Sequence, residues 1–363
     1  MGVEMVLSRN IRLRWLRPLM RVRFFVLFAL LLAANPALAK RIHISSCTNR
    51  PFVISQPGSY VLTANLVTNP GNDCIDVRVG AVSIDLNGFT ITGAKVGISG
   101  RHSRQVLVQD GTVRLSAYDG IRLGNDGIIK NMRLDVNNGS GIVCAIHCII
   151  TDNQANGNGA QGIEVLAAAT ITNNTVSYNG LNGIDCRGDK FSAADCKISG
   201  NTATLNGQSV EGGSGIVAGS ESVIEANTVN GNFDEGIVAL SGTISGNAVN
   251  GNGKAGIVAS AGSVVSSNTA NGNGKSSSCT PLGGGITVVS QTNCSAGAGG
   301  VLAIGNATSG NAGFGIDLGG DPTNGYQNNV AFDNRGVPSG AAGQINPGTS
   351  LGHNLCNGII SGC

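Results

Sequence analysis

Apolar and polar residues alternate in short runs along most of the chain, and after residue 39 no run has the length and 3.6-residue spacing of a helix. Residues 162–182 display the unit. Gly162-Ile163-Glu164-Val165 is followed by a small turn, then Thr170-Ile171-Thr172, then Asn174-Thr175-Val176, then Asn179-Gly180. Ile163 and Val165 fall on one side of an extended segment and Glu164 on the other. The pattern predicts three short strands joined by tight turns.

A Gly-Ile pair opens this unit at Gly97, Gly120, Gly141, Gly162, Gly183, Gly215, Gly236, Gly256, Gly285 and Gly315. The intervals are 23, 21, 21, 21, 32, 21, 20, 29 and 30 residues, and the longer ones contain Cys or Gly/Ser-rich insertions. A period near 21 marks a solenoid in which each coil covers its neighbour's apolar face. Three strands per coil predict an all-β, single-stranded parallel β-helix. The Leu-x-x-Leu-x-Leu framework of a leucine-rich repeat is absent. About ten coils would stack to roughly 50 Å.

Asn pairs five residues apart form a second register: Asn153/Asn158, Asn174/Asn179, Asn201/Asn206, Asn227/Asn232, Asn247/Asn252, Asn268/Asn273 and Asn306/Asn311. Asn tolerates left-handed backbone at bends, and stacked amides can bond from coil to coil as a ladder. Open solenoid ends need covers. Residues 40–92 are expected as an N-terminal cap and opening coil, 93–320 as the β-helix and 321–363 as a C-terminal cap.

Residues 1–39 have the form of a signal peptide. Six Arg, from Arg9 to Arg23, precede the apolar run Phe24 to Ala34, and Ala37-Leu38-Ala39 offers a cleavage site. The run is too short to span a bilayer. Met20 opens a second, shorter version of the same signal. Cleavage after Ala39 would leave 17 basic and 20 acidic residues, turning the formal charge from +2 to −3. No basic cluster interleaved with aromatics remains to suggest nucleic acid, and no later segment is apolar enough to cross a membrane. A secreted protein, extracellular or periplasmic, is expected.

All ten Cys lie beyond the signal, in close pairs: Cys47 with Cys74, Cys144 with Cys148, Cys186 with Cys196, Cys279 with Cys294, and Cys356 with Cys363. An even count in an oxidising compartment favours disulfides. There is no C-x-x-C, and the four His do not cluster, which disfavours a zinc site.

These repeats resemble right-handed parallel β-helix proteins of the pectin-lyase-like superfamily, which includes NosD-like and other exported carbohydrate-binding or sugar-hydrolase modules. Asn72-Asp73-Cys74-Ile75-Asp76-Val77 with Ile84-Asp85-Leu86-Asn87-Gly88-Phe89-Thr90-Ile91-Thr92-Gly93 is similar to their opening coil. Gly315-Ile316-Asp317-Leu318-Gly319-Gly320-Asp321 is similar to a recurring last-coil motif. The resemblance covers about residues 45–330 and implies the fold and a polysaccharide or cell-surface glycan as partner. It transfers no catalytic set. The polygalacturonase motifs are missing apart from a faint echo at Gly71-Asn72-Asp73-Cys74, as are the Asp-Pro-His-Asp of alginate epimerases and the pectate lyase signatures.

Alignment on Gly-Ile places Arg122, Val143, Glu164 and Asp185 in one outward column. Glu164 and Asp185 would sit on adjacent coils with Cβ atoms about 5 Å apart. Two carboxyls that close resist joint ionisation, the raw material of a retaining glycosidase or of a Ca²⁺ bridge to an acidic sugar. They are the candidate catalytic pair, with Asp119, Arg122, Arg187, Asp189 and Lys190 as candidate ligand-binding neighbours. Asp317, Asp321 and Asp333, with Asn324 and Asn328 nearby, are candidate Ca²⁺ ligands near the last coil. Three readings follow: a polysaccharide-binding protein with or without processing, a lyase, hydrolase or epimerase using Glu164 and Asp185, or a structural or adhesive spacer. Ice binding, a variant of the last, would require a regular Thr-x-Thr column, and Thr90/Thr92 and Thr170/Thr172 do not continue as rows.

Overall fold

In the unit 162–182, Ile163 and Val165 are buried while Glu164 between them is only half-buried. The computed structural model describes residues 41–188, 194–209, 212–274, 284–288, 300–319, 321–335, 344–346, 348–356 and 359–360. They contain only strands, turns and bends, and Arg41–Cys363 form one compact unit. The fold is a parallel β-solenoid, as the repeat predicts.

One parallel sheet has thirteen strands in chain order. Ten begin at the Ile of a Gly-Ile pair, and Phe52–Ile54, Ile75–Val77 and Ile345–Asn346 extend the same sheet without one. The remaining strands, two in most coils, form the second sheet wall. Thr170–Thr172 pairs with Lys197–Ser199, and Thr175–Ser177 pairs with Thr202–Thr204. Every pairing is parallel until Ile359–Ile360 folds back antiparallel on Leu355–Cys356.

The core is a column of aliphatic side chains. Ile121, Ile142, Ile163, Ile184, Ile216, Ile237, Ile257, Ile286 and Ile316 are fully buried, one above another. Each complete burial of this kind is worth roughly 1.5–3 kcal/mol.

The preceding glycine is required by close packing. A Cβ on Gly162 would lie 2.7 Å from the carbonyl oxygen of Gly183 and 2.7 Å from Nδ2 of Asn179. The backbone of one coil thus sits where a side chain would otherwise stand, with Ile163 N–H donating to Gly183 C=O at 2.9 Å.

Two internal amide ladders run along the corners, and both are longer than the sequence pairs. One passes from Asn153 through Asn329 to Asn354, the other from Asn137 through Asn334 to Gln344. At each rung the backbone N–H and Nδ2 of one Asn both donate to the side-chain amide oxygen of the next, Oδ1 of Asn or, at the last rung of the second ladder, Oε1 of Gln344. For Asn174 and Asn201 the distances are 2.9 and 3.0 Å. Nδ2 of Asn174 also reaches the buried carbonyl of Ile150. Tolerance of left-handed backbone is not the reason for Asn here. The left-handed residue precedes each rung, as at Asp152, Asn173, Tyr178 and Leu205, and the rung itself is chosen for its amide.

Cys47–Cys74, Cys144–Cys148 and Cys186–Cys196 are disulfides, with Cα separations of 5.1, 6.4 and 6.6 Å. Cys356 is disulfide-bonded as well, and its expected partner Cys363 lies outside the described residues. Cys279 and Cys294, expected as the remaining pair, both lie outside the described residues too, as does the segment 1–40. Three of the five expected disulfides are therefore seen whole. Among the described residues no helix is long and apolar enough to cross a membrane.

Candidate active and binding site

Strand alternation turns every second residue of the thirteen-stranded sheet outward. Strict register then makes one column of Val53, Asp76, Ser99, Arg122, Val143, Glu164, Asp185, Val217, Val238, Val258, Thr287, Asp317 and Asn346. Glu164 pairs directly with Asp185, as the Gly-Ile alignment predicts. Charge gathers on the stretch from Arg122 to Asp185, and the three coils that follow carry valine.

A second column comes from the residue before six consecutive Gly-Ile pairs: Asp119, Ser140, Gln161, Asn182, Ser214 and Glu235. It is polar on six successive coils and interlocks with the first. Asp119 is buried and accepts from Arg122 Nε at 2.6 Å, from a second Arg122 nitrogen, and from the backbone N–H of Ser140 at 3.0 Å. Asp185, also buried, accepts from Arg187 through both oxygens at 2.9 and 2.5 Å and from Asn182 Nδ2 at 2.8 Å. Such a bidentate fork is the strongest ion-pair geometry available to a carboxylate. It raises the Arg187 guanidinium above its ordinary value, chiefly through the hydrogen bond to Asp185.

Glu164 differs from both aspartates. Its Oε2 lies 3.1 Å from Ser140 Oγ, and among the described residues no cation pairs with it. Burial pushes its carboxyl above the usual glutamate range. Hydrogen bonding with Ser140 opposes this, Asp185 and Asp119 add to it, and Arg122 pulls it down. Mutual repulsion with Asp185, expected from the sequence as the main cause, is secondary because Arg187 already neutralises Asp185.

The structure therefore brings Asp119, Arg122, Glu164, Asp185 and Arg187 together, while Asp189 and Lys190 lie outside the described residues. Ser140, Gln161 and Asn182 complete the network, and sequence reasoning passed over them. Their signal was positional: each stands immediately before a Gly-Ile pair.

The candidate Ca²⁺ ligands are spent differently. Asp317 is buried in the outward column, and its Oδ1 accepts from Gly319 N–H at 2.9 Å and Asn346 Nδ2 at 2.7 Å. Burial raises its carboxyl, and these two bonds oppose the rise. Asp321 holds the backbone and hydroxyl of Thr323 and is lowered by them. Asp333 is exposed. No group of three His, Cys, Asp or Glu able to hold a metal exists among the described residues.

A solenoid with these columns belongs to a recognised class. The family model described as right handed beta helix region matches residues 30–172 and 166–298, and the chain belongs to that family. No curated protein matches it. Among solved structures it is similar to the A-module of Azotobacter vinelandii mannuronan C-5 epimerase AlgE6. That likeness has 17% identity and a TM-score of 0.56, and covers 90% of this chain and 93% of that one. The AlgE4 A-module from the same organism is similar at 18% identity and a TM-score of 0.55, covering 92% and 94%. At such identities the likeness establishes the fold.

Proposed function

We propose that the protein is exported and binds a polysaccharide along the outer face of its thirteen-stranded sheet, with Asp119, Arg122, Glu164, Asp185 and Arg187 as the contact cluster. The observation that carries this reading is the interlocked charge on the outer face, where Asp119 held by Arg122 and Asp185 held by Arg187 flank Glu164. A strand spacing of about 4.8 Å is comparable to the length of one sugar unit, so neighbouring coils can meet neighbouring residues of a chain. The epimerase modules that share the fold act on a polysaccharide by name. Asp189 and Lys190 belong to the proposed contact set by their place in sequence.

Export rests on the basic-then-apolar segment 1–39, read as a cleaved signal, and on the oxidised cysteines. By the same logic of close pairs, Cys279 is assigned to Cys294 and Cys356 to Cys363. We assign 40–92 and 321–363 to the caps and 93–320 to the β-helix.

A second reading, processing of the bound glycan, is favoured by the direct pairing of Glu164 with Asp185 in unlike environments. Both readings are tested by incubating the oxidised chain with uronate-rich and neutral polysaccharides. Binding without product supports the first. Product that disappears in the Glu164→Gln/Asp185→Asn variant supports the second. Neither, across the panel, removes both and leaves a structural spacer.

A further inference from the structure

The hydrogen bonds around Ser140 do not close with the hydrogens at hand. Its Oγ lies 3.1 Å from Glu164 Oε2 and 3.2 Å from Gln161 Oε1. Both are acceptors when Glu164 is ionised, and a serine hydroxyl has one hydrogen to give. Two arrangements resolve the conflict. In one, Glu164 is protonated and donates to Ser140 Oγ, which donates onward to Gln161 Oε1. In the other, the Gln161 amide is reversed, its Nε2 donates to Ser140, and Ser140 donates to an ionised Glu164.

The charged surroundings favour the first. Four charged groups surround Glu164, two on the following coil and two on the coil before Val143. Asp185 pairs with it in register, and Arg187 is committed to Asp185 by two hydrogen bonds. Asp119 lies on the other side, and Arg122 is committed to Asp119. Val143, its partner on the preceding coil, is apolar. Both cations are thus held by aspartates, and although Arg122 pulls the half-buried Glu164 carboxyl down from a distance, no cation among the described residues pairs with it directly.

We infer that Glu164 carries a proton in the resting site, donated to Ser140 Oγ, and that Ser140 and Gln161 are positioning residues that hold it there. The direction in which burial shifts this carboxyl agrees with that arrangement. The inference deepens the glycan-binding reading, on which its functional meaning rests. A neutral Glu164 leaves Oε1, unpartnered among the described residues, to accept from a sugar hydroxyl without adding negative charge to the face.

The test is a carbon-13 NMR titration of the full oxidised chain labelled at its glutamate carboxyls, with the Glu164 signal assigned by its loss in Glu164→Gln. At the pH of the polysaccharide assay the Glu164 carboxyl is expected to give the chemical shift of the acid form, with its midpoint displaced above the ordinary glutamate range. Gln161→Leu frees the Ser140 hydrogen to turn toward the carboxylate, so it lowers the midpoint, and Gln161→Met does the same with less change in shape. A Glu164 that gives the ionised shift at that pH overturns the inference. A Gln161 variant that raises the midpoint also overturns it, because that is the signature of the reversed amide. The wild-type midpoint decides even if both variants fail to fold. The titration needs no glycan, so a silent polysaccharide panel with a raised midpoint removes the binding reading and leaves the proton assignment standing.

Discussion

Two stretches of the same outward column differ sharply in content on an identical backbone. From Arg122 to Asp185 the column carries both signs of charge, and from Val217 to Val258 it carries three valines. Inward, both stretches present the same isoleucine, the same glycine and the same ladder amide at every coil. The solenoid therefore separates two tasks that most folds mix. Its interior repeats because each coil must match the next, and its outward positions are free to vary.

If that separation holds, damage to the interior should cost the same in either stretch. Ile163→Ala in the charged stretch and Ile237→Ala in the valine stretch should each lose about 2–5 kcal/mol, read as matched shifts in chemical denaturation. A difference larger than the scatter of that range would mean the charged network also supports the core.

Gly162→Ala and Gly236→Ala probe the close approach of coils and should cost about 1–3 kcal/mol each. At Gly236 the added carbon would meet Val249 Cγ1 at 2.3 Å and Gly256 O at 2.5 Å. The same measurement applies, and an unchanged midpoint for either would contradict the packing argument.

Exchange of the outward residues should reveal the contrast. Val217→Asp places a carboxylate at a buried position without an arranged guanidinium and should destabilise by roughly 1–3 kcal/mol. Glu164→Val should leave thermal stability at neutral pH equal or higher while weakening glycan retention.

The smallest expected effect is on pH dependence. Glu164 and Asp317 both have raised carboxyls in the folded chain, so the folded state holds more protons than the unfolded state just above the ordinary carboxylate range. The stability these groups contribute is complete at more acid pH and is lost as pH rises through their folded values. Glu164→Gln should flatten that decline in melting temperature, and an equally steep decline would argue against its buried proton.

Much of the interior was legible in the order of residues. The period near 21, the Gly-Ile pairs and the paired asparagines were all visible because a solenoid repeats its packing problem at a fixed interval. The first and last coils were not marked by that pattern. Phe52, Ile75 and Ile345 occupy the core-facing place without a preceding glycine.

The outward column was readable by the same alignment, and it placed Glu164 against Asp185. The state of those carboxyls was not readable. It depends on which neighbours bend toward them: Arg187 toward Asp185, Arg122 toward Asp119, and Ser140 toward Glu164. The aspartates read as Ca²⁺ ligands make the same point, since Asp321 is turned onto its own loop and Asp317 is shared between its own loop and Asn346 of the next coil.

The sequence by itself determined the coil, its length, its inward residues and the register in which coils stack, because alternation and period act locally and repeat. Only the tertiary structure decided which outward polar groups satisfy one another and which is left half-buried with a proton to place. Hydrogen bonds between coils join residues about twenty or more positions apart, and their direction depends on side-chain rotamers and burial that a linear pattern does not carry.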